Sequence, residues 1–346
     1  MMSGSVVDRE LADLLSAVFA AHRQRAATDD SADRDPSAWD PVLWQQLSEL
    51  GLARLTGREE SGGSGADWFA AAALLRAAAA HGVRTPVVEH DLLAGWLLSE
   101  AGFPVDDARR SACVLDRHGT ARHVGWAAGA ERVVVAWPSG GGYRVADVDT
   151  SDLDITAGTN VAGEPRDTVV AQLDHLTGAD VDTTVIDRFR LRGAMARAVQ
   201  TCAALDRTLD LTSRYAVERE QFGRPLARFQ AVTGLVADIA AETSLAEAAT
   251  ESTLTAAVRS DWSAPNLQFL VAVARSCTGR ATSTVVRNAH QVHGAIGTTQ
   301  VHPLHEVTLA ALAWRSEFGS VHDWEQIVAD AAVDAGADGL WPLISG

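Results

Sequence analysis

The segment Val217-Glu218-Arg219-Glu220-Gln221-Phe222-Gly223-Arg224-Pro225-Leu226, followed by Arg228-Phe229-Gln230, joins two apolar-periodic stretches. Gly223 and Pro225 break the first helix, and a new one starts at about Leu226. An arginine and an amide side chain at such a junction suit an anion such as a diphosphate, because the guanidinium fork makes paired, charge-assisted hydrogen bonds. An ordinary inter-helix turn with a solvated arginine has the same spacing. A second segment, Gln291-Val292-His293-Gly294-Ala295-Ile296-Gly297-Thr298-Thr299, ends another helix in a loop of small residues. Its glycines allow close backbone approach to a ligand, and equally a plain helix cap.

Much other chemistry is excluded. The 29 basic side chains are all arginine. Schiff-base and pyridoxal-phosphate enzymes need a lysine amine, and P-loops and protein kinases need their own lysines. His302-Pro303-Leu304-His305-Glu306 offers two histidines at i, i+3 but no third ligand, so no metal site is expected. Gly62-Gly63-Ser64-Gly65 lacks the strand–turn–helix setting of a nucleophile elbow. Cys113, Cys202 and Cys277 show neither disulfide nor zinc spacing. A net charge of -16 argues against nucleic-acid partners and anionic membrane surfaces. The ten tryptophans are scattered and read as packing residues.

These segments need elements to position them. A length of 346 residues calls for two or three packed subregions. Residues 5–103 look helical, with a turn-rich stretch over 28–37, a short helix over 39–50 and two Ala/Leu-rich helices over about 66–81 and 86–102. From about 110 the period shortens. Val124, 133–135, 143–148, 169–173 and 181–185 are β-rich runs separated by Gly, Ser-Asp and Gly-Glu-Pro turns. From about 186 to 335 the helical period returns in stretches of roughly 25–30 residues, which implies a bundle. The expected fold is α+β and mainly α: an N-terminal all-α domain over 1–109, a small β domain over 110–184 and a helical bundle over 185–346. Asp8, Glu10 and Asp13 interrupt the N-terminal apolar run, and no stretch of about 18 uncharged apolar residues occurs. A cytoplasmic protein is expected.

Together the two segments resemble the flavin-binding motifs of the acyl-CoA dehydrogenase family. Arg219, Gln221, Phe222, Gly223, Leu226 and Gln230 match the first motif. Gln291, Gly294 and Gly297 match the second, with Ala295 in place of one glycine. The 44–51 helix end, the 59–65 loop and the 86–102 run are also similar to the family, as is the order of helices, β region and bundle. The resemblance implies FAD as cofactor, an acyl-CoA substrate and an oligomer in which each flavin is shared with a neighbouring subunit. It implies that Arg219 and Gln221 contact the diphosphate and that Phe222 packs near the adenine. Leu226, Phe229 and Gln230 would line the adenosine and ribityl path, and Gln291, Val292, Gly294 and Ala295 would close over the diphosphate.

The chain departs from the family at three places. The reaction needs a carboxylate base, tuned by burial, at one of two positions. One aligns near Gly193, with no acid within three residues. The other aligns with Phe318, leaving Glu317 one residue away, a helical rotation of about 100°. Glu317 is therefore a weak candidate base, with Glu306 and His305 as others. The family's flavin-contacting run in the β region is not matched by Asp116-Arg117-His118-Gly119-Thr120, and an Arg-Asp pair is replaced near Leu309 and Ala310. The motifs serving a neighbour's cofactor survive, while those serving the chain's own do not. The expectation is a non-catalytic subunit paired with a second acyl-CoA dehydrogenase chain, as in the family's heterotetrameric steroid-degrading branch. A self-sufficient homo-oligomer with a relocated base, or a family-fold protein with a non-redox or scaffold role, are the alternatives.

Overall fold

The computed structural model describes residues 9–28 and 39–345, so most of the turn-rich stretch over 28–37 lies outside the described residues. The chain divides into two compact units. One comprises Met1–Leu74 with Val83–Gly193, the other Leu75–Gly82 with Ala194–Gly346.

The first unit opens with α1 (Arg9–Thr28) and α2 (Pro41–Glu49). Asp40 caps α2 by accepting from the backbone N–H of Val42 and Leu43, and Pro41 occupies the first helical position. Leu43, Trp44 and Leu47 form its buried face, and Gly51 takes a left-handed φ of 71° just after it. Asp67 caps α3 (Trp68–Ala80) in the same way. The helix expected over 86–102 is a different object. Val88–Gly95 is a π-helix, followed by the short α4 (Trp96–Glu100). Three consecutive ionisable residues, Glu89, His90 and Asp91, are buried in it. The Asp91 carboxylate accepts from the Thr56 N–H at 2.9 Å and from its hydroxyl at 3.0 Å. His90 Nδ1 accepts from the Arg110 N–H at 3.0 Å.

Burial shifts this pair in opposite directions. Desolvation, then the charge of Arg110, lowers His90 to about 3, and desolvation raises Asp91 to about 6. The unfolded chain binds the His90 proton below its ordinary value while the folded chain does not, so His90 destabilises the fold as pH falls below 6.5. Asp91 does the reverse: its contribution is full below 3.8 and is lost as pH rises through about 6. Between these values the two slopes cancel. Asp91→Asn removes one of them. The variant is expected to lose about 1.4 kcal/mol of stability per pH unit on acidification relative to wild type, measured by urea unfolding at successive pH values. Parallel stability–pH curves for the two proteins would contradict the assignment.

Seven strands follow. β1 (Arg110–Val114), β3 (Arg132–Ser139), β4 (Gly142–Asp149) and β7 (Ala179–Val181) form a sheet in the order β1-β3-β4-β7. β2 (Thr120–Gly125), β6 (Arg166–Val170) and β5 (Asp154–Thr156) form a second, in the order β2-β6-β5. Leu115, Val133, Val135, Trp137 and Val169 belong to one shared apolar core. The strand expected over 181–185 ends at Val181. Asp182 accepts from the Thr184 N–H and hydroxyl, a local bond that starts the next helix instead.

That helix, α5 (Thr183–Glu218), has 36 residues, longer than expected, and its first turn contains the expected domain boundary at 184/185. In the second unit its stretch 194–205 is buried without interruption. α6 (Gln230–Arg259) and α7 (Leu267–His293) run antiparallel. Thr253 bonds the Leu270 carbonyl towards one end, and Asn288 bonds Asp238 towards the other. α8 (Leu304–Trp314) and α9 (Val321–Ser345) complete the bundle, and Gly336, with φ 62°, kinks α9. Among the described residues no helix is long and apolar enough to cross a membrane.

Candidate functional site

α5 ends at Glu218, earlier than the glycine and proline suggested. Residues 220–225 form a two-stranded hairpin, β8 (Glu220–Gln221) with β9 (Arg224–Pro225). Phe222 and Gly223 at its tip both have positive φ, 54° and 76°. That is the geometry of a tight two-residue hairpin turn, which matches strand twist but strains a non-glycine residue. The strain is spent on display: Phe222 is 93% exposed. The Leu226 N–H bonds the Arg219 carbonyl at 2.8 Å and closes the base of the hairpin. The Arg224 guanidinium lies 4.1 Å from the centre of the Phe229 ring, and the Phe222 and Phe229 rings meet edge to face at 6.2 Å. Arg219, Gln221 and Gln230 are exposed, while Leu226 and Phe229 are half-buried.

The second segment lies at the same end of the bundle. α7 stops at His293, where Gly294 takes φ 63° and its N–H bonds the His290 carbonyl. The Tyr215 ring of α5 stacks on His293 with centres 4.4 Å apart and planes 20° apart, and His302 meets His293 at 4.6 Å. The Tyr215 hydroxyl donates to the His293 carbonyl at 3.4 Å. His290 pairs with Thr308 of α8 at 3.0 Å. Burial, then neighbouring imidazoles, holds His290 and His302 below the ordinary histidine value. Burial also lowers His293, against the bond from its ring to the Ala289 carbonyl, so the cluster packs as neutral rings. This aromatic pin fixes the end of α5 to the end of α7 and so brings together the two motif segments. Gln291, Gly294 and Ala295 are exposed there, but the Val292 side chain is buried in the core and unavailable to a ligand.

The donor set suits an anionic dinucleotide. Arg219, Arg224 and Arg228 stand against Glu218 and Glu220, a local positive excess on an acidic chain. The 30-residue α6 starts at Gln230 with no side chain capping its N-terminal N–H groups, which leaves them and the positive dipole end for a ligand. Among the described residues no group of three or more His, Cys, Asp or Glu is placed to hold a metal ion.

The candidate base positions look different. Gly193 leads into the buried, acid-free 194–205 stretch. Glu317 is held by Arg197, whose Nε donates to Oε2 at 2.6 Å and whose Nη1 donates to Gln200 at 2.7 Å. The Arg197 guanidinium lies 5.8 Å from the centre of the Phe318 ring. Arg275, from α7, donates one nitrogen to the carbonyls of Trp314, Arg315 and Glu317 at 2.9–3.0 Å, gathering the end of α8 and the turn behind it. Sequence reasoning missed Arg197, Arg275 and the Tyr215–His293–His302 pin. In the β region, 116–120 is a tight turn between β1 and β2, in which Asp116 accepts from the N–H groups of His118 and Thr120.

The acyl-CoA dehydrogenase N-terminal domain model matches residues 8–104, and the acyl-CoA dehydrogenase C-terminal domain model matches 178–331. Acyl-CoA dehydrogenase IpdE2 of Mycolicibacterium smegmatis is 29% identical over 275 residues, which is 77% of this chain and 80% of that protein. Acyl-CoA dehydrogenase FadE27 of Mycobacterium tuberculosis is 28% identical over 347 residues, covering 89% and 90%. Among solved structures, the ChsE4-ChsE5 complex from Mycobacterium tuberculosis matches with a TM-score of 0.80 at 23% identity, over 95% of this chain and 98% of that one. The Tcur3481-Tcur3483 steroid ACAD G363A variant matches with a TM-score of 0.82 at 22% identity, over the same shares. The two domain models span both ends of the chain and most of its length, and the fold agrees throughout: the chain belongs to the acyl-CoA dehydrogenase family.

Proposed function

We propose that this chain is one subunit of a hetero-oligomeric acyl-CoA dehydrogenase, completing a partner subunit's FAD site and carrying no catalytic base of its own. Acyl-CoA dehydrogenases are FAD-dependent oxidoreductases acting on the CH–CH bond of an acyl-CoA. Bound FAD supplies the hydride acceptor. The proton leaving the α-carbon must go to a nearby carboxylate.

The reading rests on one observation above the others. The carboxylate beside the Phe318 position, Glu317, is committed to Arg197 in a pair whose arginine side chain is 3% exposed. Accepting a proton would remove that charge and leave a buried guanidinium without its counter-ion. Glu317 is a structural counter-ion in this account. The cofactor end, by contrast, is outward-facing: Phe222, Arg219, Gln221 and Gln291 are exposed. That disposition fits a surface completed by another chain. Arg219 and the α6 N-terminus would hold the diphosphate, and Phe222 would pack against the adenine side. Both structural neighbours named above are complexes of two differently named chains, and one is described as a steroid ACAD. A steroid-derived CoA thioester is the substrate class this favours.

Native mass spectrometry after co-expression with a dehydrogenase chain from the same gene cluster tests the assembly. The expected species contains both chains in equal number. A homo-oligomer of this chain alone that turns over acyl-CoA would overturn the reading and return a relocated base, with Glu317, Glu306 and His305 to be substituted in turn.

A further inference from the structure

α9 carries apolar surface that its own chain leaves uncovered. The helix is seated at its start: Trp324 is buried, and Val321 lies so close to Gly279 of α7 that a Cβ there would collide with it. Beyond Trp324 the burial fades, and from 325 to 344 no residue is fully buried. Gly336, at φ 62° and ψ -175°, takes a backbone state open essentially to glycine alone and sets 337–345 apart as a short helical segment. Leu340, Trp341 and Ile344 fall within one turn of it and are all exposed, Trp341 by 72%. Val333, just ahead of the kink, is exposed as well. A helix this short is marginal in water unless a neighbour covers its apolar face. No part of the described chain covers this one.

Charge restricts what can cover it. From Ser316 to Gly346 the sequence has six carboxylates, Glu317, Asp323, Glu325, Asp330, Asp334 and Asp338, and neither lysine nor arginine. Asp334 and Asp338 straddle Gly336 and make no ion pair among the described residues. The carbonyl end of a helix is itself negative, and no basic residue in the last turn of α9 offsets it. A second copy of this chain, at net charge -16, would bring like charge to the same place, and an anionic lipid surface would do the same.

We propose that residues 333–344 anchor the partner dehydrogenase subunit. Leu340, Trp341 and Ile344 fill an apolar groove of that subunit, and Asp334 and Asp338 face lysine or arginine on its rim. A central aromatic anchor with a charged rim is the usual anatomy of an interface hot spot. The inference rests on the hetero-oligomeric reading above and adds where the partner binds.

Hydrogen exchange and affinity, measured on the full-length chain and the co-expressed partner, test this. Amides over 337–345 are expected to exchange at least about tenfold more slowly in the complex than in the chain alone. Trp341→Ala is expected to weaken the complex roughly thirtyfold or more, the scale of a hot-spot residue. Asp334→Asn with Asp338→Asn should weaken it less and flatten its salt dependence. The unfolding midpoint of the isolated variants should match wild type, since these side chains are exposed. Unchanged exchange over 337–345, or undiminished affinity of Trp341→Ala, in a complex that the wild type forms would overturn the anchor and leave the hetero-oligomer standing. Self-association of the isolated chain that Trp341→Ala abolishes would overturn it in favour of a second copy. Failure of the wild-type chain to bind any dehydrogenase partner would overturn the hetero-oligomeric reading, and the anchor with it.

Discussion

Glu317→Gln lowers stability by about 3–5 kcal/mol, because it removes the carboxylate that is bonded to buried Arg197 and whose charge acts on buried Arg275. The two arginines are 3% and 1% exposed, so water cannot take over the charge. The turn that Arg275 gathers through three carbonyls would loosen with it. Chemical denaturation should show the loss as a lower midpoint. Replacing both partners, Arg197→Met with Glu317→Leu, should recover the part due to Arg197, since a buried pair exchanged for apolar side chains is often neutral, while the part due to Arg275 stays. The folded Glu317→Gln subunit, assembled with its partner, should keep kcat near wild type. A stable variant with a rate lower by orders of magnitude would make Glu317 the base after all.

Arg219→Ala should lower the affinity of the assembled enzyme for FAD roughly ten- to a hundredfold, the worth of one or two charge-assisted bonds to a diphosphate. Arg219 is exposed, and nothing of the fold depends on its side chain, so the unfolding midpoint without FAD should not move. Fluorescence titration with FAD reads the first and thermal unfolding the second. A variant binding FAD as tightly as wild type would place the diphosphate elsewhere.

The motif segments were legible because their residues are local. Arg219 to Gln230 announces a helix junction in twelve consecutive positions, and the structure has that junction at a bundle end. The hairpin was not legible. Gly223 and Pro225 read as helix breakers, but the strained φ of Phe222 and the Leu226–Arg219 bond set the break at Glu218. β1 was missed because the first two of its buried positions are polar. Arg110 is 2% exposed against Asp147, and Ser111 is buried against the Gly125 carbonyl, so no apolar alternation marks the strand. The 86–102 stretch keeps a helical pattern, yet a π-turn shifts which side chains point inward, and composition does not encode that shift. Arg275 illustrates the same limit. It sits between Ala274 and Ser276 in α7, and only the three-dimensional neighbours reveal a buried arginine that gathers the carbonyls of Trp314, Arg315 and Glu317. Long-range pairing, such as Arg197 with Glu317 across 120 positions, carries no sequence period.

The chain's acidity also reads differently once its carboxylates are placed. A net charge of -16 supplies many candidate bases, yet the one beside an expected base position is bound by a buried arginine. Positive charge is concentrated instead where a shared cofactor's diphosphate would lie. The most direct measurement is the flavin content of this chain alone and of the complex with its partner, read from the flavin absorption band against protein concentration. The account predicts colourless, inactive protein alone and an active complex holding one FAD for each pair of unlike chains. A full FAD on every copy of this chain, with turnover in the partner's absence, would contradict it.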